Sequence, residues 1–302
     1  MKIALRPSWI CGVLFIIACC VPQPVRAVIV YGKTNLENTT NPGIGSVWDS
    51  VVTLAKPDQT FNASGVYLGG GVFLTAEHVD ADKGVTQIKI NGALYDLDPS
   101  FGIKGRKTIS GVDLQVFKVL LPPILPSVSL NTDGLLDINR FSVLVGTGLG
   151  KGSEVVDQGW NWGNDLTYAK RWGTNYTLDA IDSAYLSSIY GYSTLGSAFY
   201  AGYGADTGTV TMGDSGSALF QFIGGTWVLS GVTTSVQVGG SSFYNRGPTS
   251  PVPSPDYSVY VRVSDYAGSI QAAIPEPGSF SLTIAGAAAL VLLVKRTRKL
   301  RI

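Results

Sequence analysis

The sequence predicts an all-β fold, a sandwich or a barrel, for the middle of this 302-residue chain. Two observations carry the prediction. Short strand-like runs recur between turn signals, the spacing of multi-stranded β domains. The same stretch holds most of the 37 glycines and is rich in Thr, Val and Tyr, while long 3.6-residue periodicity is lacking.

In chain order, residues 1–27 read as a secretory leader. Lys2 and Arg6 precede the apolar run "WICGVLFIIACCV", and "VRA" supplies a small-residue cleavage site after Ala27. The run is short for a membrane span. "IIAC", ending at Cys19, also admits a lipoprotein leader. All three cysteines (Cys11, Cys19, Cys20) lie in this segment, so the chain after it carries no disulfide and no thiol chemistry. A domain of this length can bury enough apolar surface without them.

Residues 28–274 form the globular part. Its strand-like runs are "SVVTLA", "GVYLGGGVFLTA", "TQIKING", "LQVFKVLL", "FSVLVGTG", "GSALFQF", "TWVLSGVTTSVQV" and "YSVYVRV". "GTGLGKG" at 146–152 fits neither nucleotide-loop pattern and reads as a glycine-rich turn. Residues 150–210 read as a long irregular insertion that packs on itself, with Trp160, Trp162, Trp172, Tyr190, Tyr192 and Tyr203; substrate subsites are the other reading. "GGSSFYNRGPTSPVPSPD" reads as a Pro-rich loop. Ser264 is expected to cap a short helix bearing Tyr266, Ile270 and Ile274, which Pro275 stops.

Residues 275–302 begin with Pro-Glu-Pro, continue with an apolar run from about Phe280 to Val294, and end with Lys295, Arg296, Arg298, Lys299 and Arg301. The run is shorter than the ~20 residues of a full span, although the stem of Lys295 extends it. The basic end favours a cytoplasmic tail, with the preceding domain across the membrane. With leader and tail set aside, the 22 basic and 21 acidic residues leave the globular part an acidic excess of about 6. That balance argues against a nucleic-acid partner.

Three local patterns carry chemistry. His78, the only histidine, closes the run "GGGVFLTAEHV". With no second histidine and no cysteine after the leader, the residue types argue against zinc. Asp113, in "SGVDLQVFKV", suits either a turn or the orientation of an imidazole; Asp80, Asp82, Asp96 and Asp98 compete for the second role. Ser215 lies in "TMGDSGSALF". A serine hydroxyl attacks a carbonyl only when a base takes its proton. Gly213 allows a backbone that aims its N–H, with that of Ser215, at a developing oxyanion, and Gly216 leaves room for the carbonyl.

"LTAEHV", "VDLQVFKV" and "GDSGSALF", in that order, together resemble the chymotrypsin/trypsin superfamily of serine peptidases. "SGVTTS" (230–235) is similar to that family's cleft-lining strand, and "SVYVRVSDY" (258–266) to its last strand and C-terminal helix; the likeness spans most of residues 45–274. The resemblance implies two six-stranded Greek-key β-barrels, at about 28–130 and 131–262, with the active site between them and a short C-terminal helix. It implies His78 as general base, Asp113 as its orienting partner and Ser215 as nucleophile, with Gly213 and Ser215 as oxyanion donors. It places Thr209 at the base of the primary pocket and Thr234, Ser235 and Val236 along its wall, so an uncharged side chain is expected before the scissile bond. No cofactor or metal is implied.

Glu77, Val79, Ser217 and Ala218 depart from the usual family residues without removing a catalytic atom. Asp214 in many members pairs with a newly cut amine, and "VIVYG" after Ala27 offers the amine of Val28. The tail resembles the PEP-CTERM sorting signal of Gram-negative bacteria, which forms a hydrophobic helix and implies an exosortase-like processing enzyme, passage through the inner membrane, and a final place at the cell surface or outside the cell. Peptide or protein substrates are the expected partners. The alternative is a catalytically silent, peptidase-like binding scaffold at the surface, against which the intact set of three residues argues.

Overall fold

The computed structural model describes residues 28–57, 62–80, 86–164, 169–237, 239–250 and 254–274. The expected leader and the expected sorting signal lie outside the described residues, as does Asp82.

Strand β1 (Ile29–Val30) and the short helix α1 (Val47–Ser50) precede β2 (Val51–Ala55), β3 (Asn62–Gly69) and β4 (Val72–Thr75). Then come β5 (Gln87–Ile90), β6 (Ala93–Asp96), β7 (Arg106–Thr108) and β8 (Gln115–Lys118). The second half holds β9 (Ser129–Leu130), β10 (Phe141–Gly146), β11 (Lys151–Val155), β12 (Gly159–Trp162) and β13 (Arg171–Tyr176). Helix α2 (Ala180–Tyr190) leads to β14 (Thr194–Ala198) and β15 (Gly208–Thr209). The chain continues through β16 (Ala218–Ile223), β17 (Thr226–Val236), β18 (Ser241–Phe243) and β19 (Tyr257–Arg262) into helix α3 (Val263–Ala273).

Two sheets dominate this mostly-β fold. The first runs β6-β5-β2-β3-β4-β8-β7; the second runs β13-β10-β16-β17-β19-β14, with β9 parallel to β17. Both curl. Beyond β6 and β8 the chain is joined by Asp98 N–H to Lys118 O (2.8 Å) and Leu120 N–H to Asp96 O (3.0 Å). In the second sheet Leu178 N–H donates to Gly196 O at 2.8 Å, beside a Thr177–Ser197 bridge.

Side-chain alternation explains why these strands read as nearly continuous apolar runs. Val52, Tyr67, Phe73 and Phe117 fill the inside of the first curl. Their neighbours Val51, Val66, Leu74 and Val116 turn the other way and meet Val143, Val145, Ala218, Phe220 and Val261 of the second sheet. Leu144, Leu195, Leu219 and Tyr260 fill the second curl. β2, β3, β4, β8, β10, β16 and β19 therefore bury both faces, one inside the curl and one in a seam shared by the two sheets.

The expected irregular insertion at 150–210 is instead largely regular: β13 and β14 are integral to the second sheet. Their apolar signal is weak because they bury polar groups, Arg171 and Asn175 in β13 and Thr194 and Ser197 in β14. The Pro-rich loop includes β18, which pairs with β12. Ser264 does not cap α3. It lies inside the helix and its hydroxyl donates to Asp137 Oδ2 at 2.7 Å.

The segment from Ile29 to Asn38 lies along the second half. β1 pairs with β15, Tyr31 N–H donates to Thr207 O, and Gly32 N–H donates to Ala205 O. Asn35 exchanges side-chain bonds with the backbone of Lys151 (2.6 and 2.7 Å), and Arg171 Nε–H donates to Asn35 O at 3.1 Å.

Candidate active site

His78 stands on a single 3₁₀ turn (Glu77–Asp80) where β4 ends, Asp113 in the turn between β7 and β8, and Ser215 in the loop between β15 and β16. The fold brings all three together at the seam. His78 Nδ1 is 2.7 Å from Asp113 Oδ2, and His78 Nε2 is 2.8 Å from Ser215 Oγ. An ionised carboxylate only accepts hydrogen bonds, so Nδ1 carries the ring proton and bare Nε2 accepts from the serine hydroxyl. The other carboxylate oxygen, Oδ1, accepts His78's backbone N–H at 2.9 Å, which fixes the turn as well as the ring. The histidine side chain is 46% exposed and the aspartate 16%, so the imidazole faces an open cleft while its partner is sheltered. Burial pushes the Asp113 carboxyl up, but bonds from His78 and from the Thr234 hydroxyl outweigh it and hold the group below its ordinary value. Of the competing carboxylates, Asp96 accepts from Gln87 and Asp98 pairs with Lys118.

The loop around Ser215 is held from both halves. Met212 O accepts from Leu149 N–H, and Asp214 O from Ser217 N–H, each at 2.8 Å. In a trans peptide the N–H points opposite to the carbonyl, so the amides of Gly213 and Ser215 are turned away from those partners. Gly213 has φ +87° and its carbonyl accepts from Ser64 Oγ at 3.2 Å. Ser64, on β3, also donates its backbone N–H to Ser215 O at 2.9 Å. Gly216 has φ +80°, and a Cβ there would fall 2.1 Å from Thr75 Oγ1 and 2.3 Å from Ser64 O. No other residue fits.

Beneath the serine, the fully buried Asp214 carboxylate accepts Gly148 N–H (2.7 Å) and Thr211 N–H (2.8 Å), and the Thr211 hydroxyl, 3.1 Å away, shares its proton with the nearer Leu149 carbonyl at 2.6 Å. Burial pushes the carboxyl up to about 6, against those bonds and the nearby charge of buried Arg171. Gly148, Thr211 and Arg171 are the groups that act on Asp214. The glycine-rich turn at 146–152 thus has a use, because a side chain at 148 would strike Asp214 and Met212.

A cleft of about 220 Å³ opens beside Ser215, lined by Trp162, Thr211, Met212, Thr233, Thr234, Ser235 and Val236. Thr234, Ser235 and Val236, expected along a pocket wall, are part of this lining. Thr209 does not reach this lining; it is buried, with its hydroxyl 2.9 Å from that of Ser258. Trp162 is pinned over the cleft by its indole N–H bond to Ser242 Oγ at 2.9 Å. Among the described residues no cluster of His, Cys, Asp and Glu is placed to hold a metal ion, and no helix is long and apolar enough to cross a membrane.

Sequence reasoning misses Ser64, Arg171 and the bond from Thr234 to Asp113. Thr234 reads from the sequence only as a pocket wall. The other two carry no local motif. No protein-family model matches the chain, and no curated protein matches it.

Proposed function

We propose that the chain is a serine endopeptidase of the chymotrypsin/trypsin type, its two curled sheets being the paired Greek-key barrels of that fold. The observation that carries the reading is the unbroken hydrogen-bond chain Asp113–His78–Ser215 across the seam. Ser215 Oγ attacks the peptide carbonyl as His78 Nε2 takes its proton, and Asp113 stabilises the resulting imidazolium. The amides of Gly213 and Ser215 receive the oxyanion. His78 then protonates the leaving amine, and water repeats the sequence on the acyl-enzyme.

The cleft lining bears no formal charge, so the residue before the scissile bond is uncharged. The sequence features at either end support an exported protein, handled by an exosortase-like enzyme and delivered to the cell surface.

The test is labelling by a peptidyl phosphonate with an uncharged side chain at the reactive position. The purified chain is expected to take up one equivalent at Ser215, located by mass spectrometry, and Ser215→Ala none. Turnover of peptide substrates should fall on the order of 10⁴–10⁶-fold in Ser215→Ala or His78→Ala. A chain unlabelled at neutral pH overturns the assignment.

A further inference from the structure

Behind Asp113 the hydrogen-bond chain does not stop. Thr234 Oγ1, on β17, donates to Asp113 Oδ2. A hydroxyl has one proton, and this one is committed to the carboxylate. The second contact of Thr234 Oγ1, 2.8 Å from Tyr192 OH, must therefore be accepted, with the phenol as donor. The protons thus all point one way, from Tyr192 through Thr234 to Asp113.

The phenol is held in place by its backbone. Helix α2 ends at Gly191, whose N–H closes on Ser187 O at 2.9 Å. The next residue after Tyr192 is clamped to α3: Ser193 N–H donates to Tyr266 OH at 3.0 Å, and Ser193 Oγ donates to Asp265. Tyr192 is caught between a helix end and this clamp, with Tyr190 against its ring at 6.0 Å. Its ring packs on the core shared by the two sheets. The ionisable groups that act on it are Asp113, Tyr190 and Tyr266.

We propose that Tyr192 is a positioning residue for the His78–Asp113 pair, acting through the Thr234 hydroxyl. By donating to Thr234 it polarises that hydroxyl and strengthens the bond at Asp113 Oδ2, and chains of hydrogen bonds reinforce one another by roughly 10–30% per bond. The carboxylate then holds less of its charge toward the imidazole, and the basicity of His78 is trimmed. The catalytic consequence rests on the peptidase reading; the polar relay itself does not.

Because His78 is the only histidine, its ring signals in NMR spectra are unambiguous. The experiment follows the His78 ring proton titration and Nδ1–H resonance in the purified full chain and in Tyr192→Phe, Thr234→Val, the double variant and a Tyr190→Phe control. Phosphonate labelling rates across pH are measured in parallel. Tyr192→Phe is expected to raise the imidazole midpoint by a few tenths of a pH unit, move Nδ1–H downfield, and slow labelling at neutral pH by up to about twofold. Thr234→Val should shift the midpoint the same way and further. Adding Tyr192→Phe to it should change nothing more, since the acceptor of the phenol is gone. Tyr190→Phe should match the wild type.

Unmoved His78 signals in Tyr192→Phe overturn the relay. So does a Tyr192→Phe shift that persists in full without the Thr234 hydroxyl, because that is a packing effect. If the wild type labels but the signals do not move, the peptidase assignment stands and this inference falls. If the signals move in a chain that never labels, the relay stands and the peptidase assignment falls.

Discussion

Gly216→Ala perturbs a point where the Ser215 loop touches the first sheet without any clearance. Its φ of +80° disfavours an L side chain by ~1 kcal/mol. The added methyl would meet Thr75 Oγ1 at 2.1 Å and Ser64 O at 2.3 Å, more than an ångström inside ordinary contact. Neither neighbour yields easily, because Thr75 Oγ1 donates to that same Ser64 carbonyl at 2.8 Å and Ser64 belongs to β3. Overpacking of this kind adds about 1–3 kcal/mol. The sum is a loss of about 2–4 kcal/mol, together with displacement of Ser215 from His78. Gly225 in the β16–β17 turn is the matched control: φ is +85° but a Cβ meets nothing within 4 Å, so Gly225→Ala should lose only ~1 kcal/mol. Urea unfolding gives the stability difference, and phosphonate labelling reads the displacement, expected to slow it at least ~10²-fold by analogy with the loss of one oxyanion donor. A Gly216→Ala variant as stable as Gly225→Ala, labelled at the wild-type rate, would refute the argument from clearance.

Two further outcomes concern stability alone. Asp137 is fully buried and receives Arg262 Nε–H and NH2–H, the latter at 2.6 Å, as well as Ser264 Oγ–H, so Asp137→Ala leaves the guanidinium at the base of α3 with the Gly134 carbonyl and the more distant Asp265, 3.9 Å away. Breaking such a pair should lower the unfolding free energy by about 3 kcal/mol in a urea titration, at the low end for buried pairs because Arg262 retains some solvent contact. Asp98 is held down at about 2 by bonds from the Lys118 ammonium and Ser100, below its ordinary 3.8. An acid depressed by folding stabilises the native state above its unfolded value and loses that contribution as pH falls from about 4 through 2. Thermal melts of Asp98→Asn should therefore drop less than wild type across that window, and parallel curves would exclude the pairing as a source of acid sensitivity.

The three residues of the hydrogen-bond chain are legible because each lies in a contiguous pattern that states its own need: a strand ending in His78, an acid opening a strand at Asp113, glycines flanking Ser215. Strands burying two apolar faces are legible too, since Val51 and Val52 both read as core whichever way they point. "RWGTNY" and "TLGSA" are not, because polar side chains on central strands look like loop until their partners are seen. Asn175, for instance, is satisfied by the carbonyls of Ala198 and Gly208. Ser64 and Tyr192 are hidden for a related reason. Ser64 meets Gly213 across 149 positions and Tyr192 meets Thr234 across 42, distances over which one sequence carries no pairing information.

The strap from Ile29 to Asn38 makes the two halves of the chain mutually dependent pieces. A fragment cut at the link between the sheets would take the strap away with the wrong half. The piece left behind would show the unpaired edge of β15 and would leave Arg171 without the carbonyl of Asn35. Lifting the strap in the intact chain uncovers the same edge, at Thr209, without touching the hydrogen bonds that join Asp113, His78 and Ser215.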